Sequence, residues 1–254
     1  MLVVLSPSKT LDFVNPPQTK QFTQPDLLDN TALLAKKMQG MSAKSIAKLM
    51  GVSEKIATLN YERYQQFSMP FSPKNAKQAV LAFKGDVYEG LGAEEYGEKD
   101  LVFAQQHLRI LSGFYGVLRP LDLIQPYRLE MGIKLKNTRG KDLYAFWGDR
   151  VTETLNEGLV EQGDNILINL ASNEYFKAVR PKLLQGGIIT PVFKEKKGND
   201  YKVIGLFAKK ARGMMADYII RKRLKHVEAI KEFSQEGYRF APKLSKDDQW
   251  VFIR

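Results

Sequence analysis

The sequence predicts an α+β fold, with a mixed sheet and surrounding helices. Short apolar runs bounded by turn residues occur at both ends and in the middle of the chain, and amphipathic helical patterns lie between them. Because the two patterns follow each other irregularly, a regular βαβ fold is not expected. The chain has 254 residues, of which 44% are hydrophobic, so it can form a sizeable core. We therefore expect a single compact domain over residues 1–254.

The first third of the chain is predicted to form one strand followed by three helices. Residues 1–5 are a short apolar run that Ser6-Pro7 ends, which is typical of a buried first strand. Helices are predicted over residues 26–39, 42–51 and 53–67. Each begins at an Asp or Ser whose side chain can cap the first turn.

In the remainder of the chain, predicted strands and helices alternate less regularly. Within residues 78–88 a strand is predicted that ends at Lys84-Gly85. Further strands are predicted over residues 165–170, 188–194, 201–207 and 250–253, with the last at an edge of the sheet. Helices are predicted over residues 98–111 and 149–162 and from about residue 211 onward. Residues 196–200 should form the turn of a hairpin between two of these strands.

The composition excludes several classes of site. The chain has no cysteine, which rules out disulfides and thiolate metal sites. The run over residues 1–5 is too short for a signal peptide or a membrane span. We therefore expect a cytoplasmic protein, with no membrane partner, that is a monomer.

The positive charge is concentrated in the C-terminal half. The net charge is +11, and residues 1–127 carry only two more basic than acidic residues. Residues 128–254 carry nine more basic than acidic residues. This asymmetry predicts a surface for a polyanion such as DNA, although charge that serves only solubility is the alternative.

A basic helix after residue 207 is the clearest local signal. Its apolar residues recur at helical spacing and predict one face against the core, namely Ala211, Met214, Met215, Tyr218 and Ile219. Lys209, Lys210 and Arg212 fall mostly outside that face and are candidates for contact with DNA phosphates. A solvated helix surface is the alternative.

A second candidate is the Gly-x-x-Gly segment over residues 112–118, which is close to a helix-hairpin-helix pattern. In that pattern Gly113 and Gly116 would bring backbone N–H groups to a DNA phosphate. The usual spacing is Gly-apolar-Gly, and this chain has one extra residue, Tyr115. The alternative is a tight turn that packs Phe114 and Tyr115 in the core.

Residues 45–57 resemble a helix-turn-helix with a Gly-Val-Ser turn. Glu54, Lys55 and Thr58 are the few side chains on its second helix that could contact base edges. Two packed helices with no role in DNA binding are the alternative.

Motifs of catalysis and of metal binding are weak. The sequence has no phosphate-binding loop, dinucleotide fingerprint or nucleophile elbow. Lys9, Lys84 and Asp86 follow predicted strand ends and could line a cleft, so a nucleobase- or nucleotide-directed enzyme of glycosylase type remains the alternative function, with Asp122 as a further candidate. His107 and His226 are isolated, so we predict no metal site, no cofactor and no iron store.

Several long stretches resemble the YaaA family of bacterial peroxide-stress proteins. They are residues 5–12, 83–88, 105–109, 112–132, 146–149, 169–175 and 208–213, and together they span nearly the whole chain.

The resemblance implies an α+β fold with a positively charged cleft and a helix-hairpin-helix element. It also implies binding to duplex and irregular DNA, resistance to hydrogen peroxide and lower free intracellular iron. Carried onto this sequence, the hairpin falls on residues 112–118. The basic cleft falls on Arg109, Arg119, Arg128, Lys209, Lys210 and Arg212.

Overall fold

A computed structural model describes residues 1–163 and 165–254 of the chain. The strands are β1 Leu2–Leu5, β2 Thr10–Leu11, β3 Lys77–Gln78, β4 Phe83–Lys84, β5 Leu108–Ser112, β6 Gly116–Leu118, β7 Leu123–Ile124, β8 Ile166–Asn169, β9 Gly187–Lys197, β10 Asp200–Lys202, β11 Arg239–Phe240 and β12 Gln249–Ile253. The helices are α1 Leu28–Gln39, α2 Ala43–Met50, α3 Glu54–Gln66, α4 Ala79–Ala82, α5 Asp86–Leu91, α6 Glu98–His107, α7 Leu143–Trp147, α8 Arg150–Glu161, α9 Asn173–Phe176 and α10 Gly205–Arg221. Short 3-10 helices lie between some of these elements.

The main sheet has eight strands and is mixed. Its order is β11-β12-β9-β8-β1-β5-β6, and β10 pairs with β9. The five adjacent strands from β12 to β5 are parallel to one another, whereas β6, β10 and β11 are antiparallel to their partners. The predicted α+β class with a mixed sheet is confirmed. No helix within the described residues combines the length and apolarity that a bilayer crossing would need.

β1 occupies the centre of this sheet. All four of its residues are buried, and it pairs with β5 on one side and with β8 on the other. The chain thus adds strands first on one side of β1 and then on the other, so the strand order reverses between β1 and β8. In open parallel sheets, ligands bind outside the carboxyl ends of the strands at such a reversal.

The three predicted N-terminal helices are confirmed as α1, α2 and α3. The cap predicted at Asp26 is wrong, because α1 begins after Leu27 without a side-chain cap. Ser42 Oγ accepts the N–H of Ser45 at 3.2 Å, and Ser53 Oγ accepts the N–H of Ile56, so the predicted caps of α2 and α3 are present. Between them Gly51 adopts the left-handed conformation, with φ of 62°. That conformation ends α2 and lets α3 pack back against it.

The predicted strand within residues 78–88 is wrong. This segment forms β3, α4, β4 and α5 in turn. The four residues of α4 are all buried, so their apolar run carries no helical periodicity that the sequence could reveal. Gly85, with φ of 107°, then separates β4 from α5.

The helix predicted over residues 98–111 ends at His107, and the helix-hairpin-helix prediction for residues 112–118 is wrong. Residues 108–112 form β5, which pairs with β1, and the chain returns as β6 through a tight turn. The segment is therefore a β-hairpin. The segment forms a strand because it pairs with the neighbouring strand β1, and local sequence patterns do not show that pairing.

The C-terminal predictions are corrected in detail. Strand β12 lies between β9 and β11, so residues 250–253 are not at an edge. Strand β10 ends at Lys202, and α10 begins at Gly205, six residues before its predicted start. Apolar residues near Gly205 are exposed, so this first turn of α10 does not show the apolar spacing that is typical of a helix packed on the core.

Two glycines allow α5 and α10 to touch closely. An ideal Cβ at Gly213 would lie 1.8 Å from the carbonyl oxygen of Val87, and one at Gly90 would lie 2.2 Å from that of Lys210. Both obstacles are backbone atoms, so a side chain at either position forces the helices apart.

We expect Gly213→Ala to lower the free energy of unfolding by about 2 kcal/mol or more, because overpacking against backbone cannot relax by a rotamer change. Gly205→Ala, in the same helix, is the control: its Cβ would meet nothing within 4 Å, so the change should be below about 1 kcal/mol. Urea denaturation of both variants measures this. Equal effects of the two substitutions would contradict the close helix contact.

Candidate nucleic-acid interface

The six basic residues predicted to line one cleft lie at opposite ends of the parallel strands, called here the amino edge and the carboxyl edge of the sheet. Arg109 is the second residue of β5, and Arg119 directly follows β6, which places both near the amino ends of the parallel strands. Arg128 lies near the other edge, since Gly113 at the end of β5 is packed against the backbone at Leu129. The three residues of α10 also lie towards the carboxyl edge. The set does not form a single groove.

Five of these six residues are paired with carboxylates. The pairs are Arg109–Glu161 at 3.8 Å, Arg119–Asp26 at 2.9 Å with Asp122 at 3.0 Å, Arg128–Glu130 at 3.1 Å, Lys209–Asp86 at 3.8 Å and Lys210–Glu236 at 2.6 Å. Neutralised side chains release fewer counterions from DNA, so these residues are weaker candidates for phosphate contacts than their type predicted. Arg212 alone of the six has no ion pair among the described residues.

Arg109 has a structural role at the end of α6. Its side chain is only 4% exposed, and Nη1 donates to the carbonyl oxygens of Gln105 and Leu108 at 3.0 and 2.9 Å. Burial lowers the pKa of this guanidinium. The side chain holds the helix end and the strand start together and offers little surface to a ligand.

Asp122, a candidate for catalysis, is held in place by an ion pair and hydrogen bonds with Arg119. The carboxylate is 1% exposed and accepts hydrogen bonds from Arg119 Nε at 3.1 Å, from the Arg119 N–H at 2.7 Å and from Thr23 Oγ1 at 2.6 Å. Burial raises the pKa of Asp122, and the positive charge of Arg119 opposes that rise. The pair joins the loop after β6 to the N-terminal segment.

The phosphate contact predicted at Gly113 and Gly116 is wrong, because both glycines are buried in the turn of the β5–β6 hairpin. Trp147 Nε1 donates to the Gly113 carbonyl oxygen at 3.0 Å, and Phe114 and Tyr115 are fully buried. The alternative of a tight turn that packs two aromatic rings is therefore confirmed.

Lys9, Lys84 and Asp86 do come together, around the small ribbon that β2 forms with β4. Thr10 is the register partner of Lys84, and Ser8 Oγ lies beside Gly85. Each charge has a partner: Lys9 contacts Glu130 at 3.2 Å, Lys84 contacts Glu94 at 4.0 Å and Asp86 contacts Lys209 at 3.8 Å. Lys9 is 63% exposed, whereas a nucleophilic lysine is usually held in a desolvated pocket or next to another cation.

A depression of about 990 Å³ lies at the amino edge of the sheet. Arg109, Arg119, Arg223, Lys225 and His226 contribute to its lining, and Glu161 is its acidic residue. His107 also lines it, stacked on Phe103, and burial lowers the pKa of its imidazole. Arg109, Arg119 and Arg223 are ion-paired, so the depression is less positive than its composition suggests.

The sequence analysis missed a basic groove between α1 and the segment 136–139. The groove has a volume of about 620 Å³ and is lined by Leu33, Leu34, Lys36, Lys37, Gly40, Met41, Lys136, Asn137, Thr138 and Phe146. It contains three lysines and no acidic residue. Arg139 flanks it, with the guanidinium 4.6 Å from the Phe146 ring centre and Nη1 donating to Asn30 Oδ1 at 2.7 Å.

None of the cations of this groove is neutralised within residues 1–163 and 165–254. Lys36, Lys37, Lys136 and Arg139 form no ion pair there, and burial together with the positive charge of Arg150 lowers the pKa of Arg139. Residues 134–141 read Lys-Leu-Lys-Asn-Thr-Arg-Gly-Lys, and this basic run was the signal available in the sequence. Only the fold brings it next to α1.

The turn between α2 and α3 is exposed and lies at the opposite end of α2 from Met41, which lines this groove. Gly51, Ser53 and Lys55 are all exposed, and no other atom lies within 4 Å of a Cβ built on Gly51. The N–H groups of Ser53, Glu54 and Lys55 have no hydrogen-bond partner among the described residues. The helix pair itself, predicted as a helix-turn-helix, is confirmed.

No group of three or more His, Cys, Asp or Glu residues placed to hold a metal ion occurs in the part of the chain that the structure describes. Glu130 carries one buried carboxylate oxygen, Oε2, that has no hydrogen-bond partner there.

We expect Arg119→Met to lower the free energy of unfolding on the order of 3 kcal/mol, because it leaves the buried charge of Asp122 without its partner. Lys84→Met is the matched control, since it breaks an exposed pair and should change stability by less than about 1 kcal/mol. Chemical denaturation at neutral pH compares the two. A small effect of Arg119→Met would show that the pair is dispensable.

Comparison with known families agrees with the resemblance read from the sequence. A family model described as peroxide stress protein YaaA matches residues 1–244, which is almost the entire chain. The matched region includes the groove, the α2–α3 turn and the whole of α10. The chain therefore belongs to the YaaA family of peroxide stress proteins.

Proposed function

We propose that this protein binds DNA through the groove between α1 and residues 136–139 together with the α2–α3 turn. The observation that carries the proposal is a groove lined by three unpaired lysines and no acidic residue, from which α2 leads to an exposed helix-hairpin-helix-like turn. Membership of a peroxide stress family supports a role in which DNA is protected from oxidative damage. We retain the limitation of free iron as part of this role, because the family resemblance implies it.

The groove suits a nucleic-acid backbone on electrostatic grounds. Lysine and arginine side chains that are not already paired displace counterions from phosphates, which is the main source of non-specific affinity for DNA. Lys36 and Lys37 on α1 face Lys136 across the groove, so cations lie on both of its walls. The apolar floor formed by Leu34 and Met41 has no acceptor groups that would repel phosphates.

The α2–α3 turn supplies backbone donors. It reads Gly51-Val52-Ser53, which keeps the glycine and the apolar residue of the helix-hairpin-helix pattern and places serine where a second glycine is usual. The unpaired N–H groups at the start of α3 and the dipole of that helix favour a bound phosphate. Helix α2 has eight residues, so the turn lies about 12 Å from Met41 at the edge of the groove.

The proposed mode favours shape over sequence. The second helix offers few side chains for base edges, and contacts to phosphate carry no base information. The helix-hairpin-helix-like element of this proposal is residues 43–66, in place of residues 112–118. The nucleobase-directed enzyme is less well supported, since Asp122 is locked by Arg119 and Lys9, Lys84 and Asp86 are each ion-paired.

We expect the triple variant Lys36→Glu, Lys37→Glu and Lys136→Glu to bind duplex DNA at least about tenfold more weakly than the wild type. The slope of log affinity against log salt should fall by about 3, because three phosphate contacts are lost. Fluorescence anisotropy at several salt concentrations measures both quantities.

The triple variant Lys182→Glu, Lys243→Glu and Lys246→Glu is the control. These exposed lysines have no ion pair among the described residues and lie outside the groove. It makes the same change in net charge. Equal loss of affinity in both triple variants would contradict the proposed groove.

The turn can be tested by one pair of substitutions at Gly51. Asn and Asp both tolerate the left-handed conformation, so Gly51→Asn should preserve the fold and most of the affinity. Gly51→Asp adds a negative charge at nearly the same volume, so we expect at least about fivefold weaker binding to duplex DNA. If the two variants bind equally well, the turn does not contact phosphate.

A further inference from the structure

Arg212 is a half-buried arginine without a partner. It forms no ion pair and no hydrogen bond with any residue in the described ranges, whereas the other five cations predicted with it are all ion-paired. Burial is the one cause that lowers the pKa of its guanidinium. A guanidinium has five N–H donors. None of the Arg212 nitrogens is among the described buried atoms that lack a hydrogen-bond partner, so the group reaches solvent and is open to an anion.

The position of Arg212 on α10 directs it to the carboxyl edge of the sheet. It shares a face with Ala208, Met215 and Ile219, which are all buried. Long helical side chains point back towards the helix N-terminus, so the guanidinium lies level with the preceding turn. In that turn Lys209 contacts Asp86, whose neighbour Gly85 packs beside Ser8, three residues after β1 ends.

The same edge holds the reversal in strand order between β1 and β8. Ser6 follows β1, and its Oγ accepts the N–H of Ser172 at 2.8 Å and donates to Ser172 Oγ at 3.3 Å. The hydroxyl proton of Ser172 therefore has no acceptor among the described residues. A reversal of this kind forms a crevice outside the strand ends, and small ligands bind there in other open parallel sheets.

We propose that Arg212 binds the phosphate group of a small phosphorylated metabolite at this edge, with Ser172 as a further donor. A guanidinium matches phosphate oxygens in a two-pronged geometry, and a hydroxyl adds a further donor to a tetrahedral anion. The site is separate from the groove beside α1 and does not depend on the proposed binding of DNA. A half-buried side chain is better placed for a small phosphate ester than for a duplex backbone.

The test uses the full chain, with inorganic phosphate, adenosine monophosphate and duplex DNA as probes. Thermal unfolding of the wild type should shift upward in a saturable way with adenosine monophosphate, and with inorganic phosphate at higher concentration. Arg212→Met should lose at least about tenfold in affinity for both small anions and should retain its affinity for the duplex. Arg212→Lys should show an intermediate loss, since it keeps the charge without the fork.

Arg63→Met is the matched control. Arg63 is also a half-buried helical arginine whose pKa burial lowers, but its Nη1 donates to Asn60 Oδ1 at 3.3 Å. This variant should keep the wild-type response to both small anions. The proposal is overturned if the wild type shows no saturable shift, if Arg212→Met responds like the wild type, or if Arg212→Met loses affinity for the duplex instead.

Discussion

The burial of β1 between two parallel neighbours is the constraint on which the rest of the structure depends. Its four apolar residues are removed from water on both faces, and its backbone is hydrogen-bonded on both sides. Burial of such side chains is the largest favourable contribution to folding. Because β5 and β8 must align with β1, the amino and carboxyl edges of the sheet, and every charged residue near them, are placed relative to this strand.

Ion pairing then decides which cations remain open to a partner. Most basic residues near the two edges of the sheet have a carboxylate within reach, and some of those pairs join segments that are distant in sequence, such as β5 with α8 and the residue before β2 with the segment after β7. The cations beside α1 have no such partner. A chain with a net charge of +11 thus combines ion-paired cations near the sheet with a local cluster of unpaired cations beside α1.

Two kinds of phosphate recognition are compatible with this arrangement. The groove beside α1 is open, has an apolar floor and is flanked by an exposed turn, which suits an extended backbone. Arg212 lies half-buried at the reversal in strand order, where a small ligand fits better. Both depend on cations whose charge is not neutralised within the described chain, and the two surfaces lie on different elements.

Local sequence determined the elements whose signals are themselves local. The first buried strand, helices α1 to α3 and the apolar face of α10 were predicted because apolar spacing, and the Ser caps of α2 and α3, act within a few residues. The α2–α3 turn was recognised as part of a helix pair, and its Gly-Val-Ser sequence and the basic run over residues 134–141 are the parts of the proposed site that local patterns could suggest. Charge asymmetry also indicated a polyanionic partner, though not where it binds.

The tertiary structure alone decided which charges are free and which glycines are accessible. Residues 108–118 became a hairpin because β1 provides a partner strand, and this buried the two glycines that a local pattern had assigned to phosphate. Arg109, Arg119 and Arg128 looked like ligands in the sequence, yet each is paired with a carboxylate, which a distant segment supplies for Arg109 and Arg119 and the nearby Glu130 supplies for Arg128. Pairing of strands and of charges depends on contacts between distant residues, so the residue types were read from the sequence while their availability could be read only from the fold.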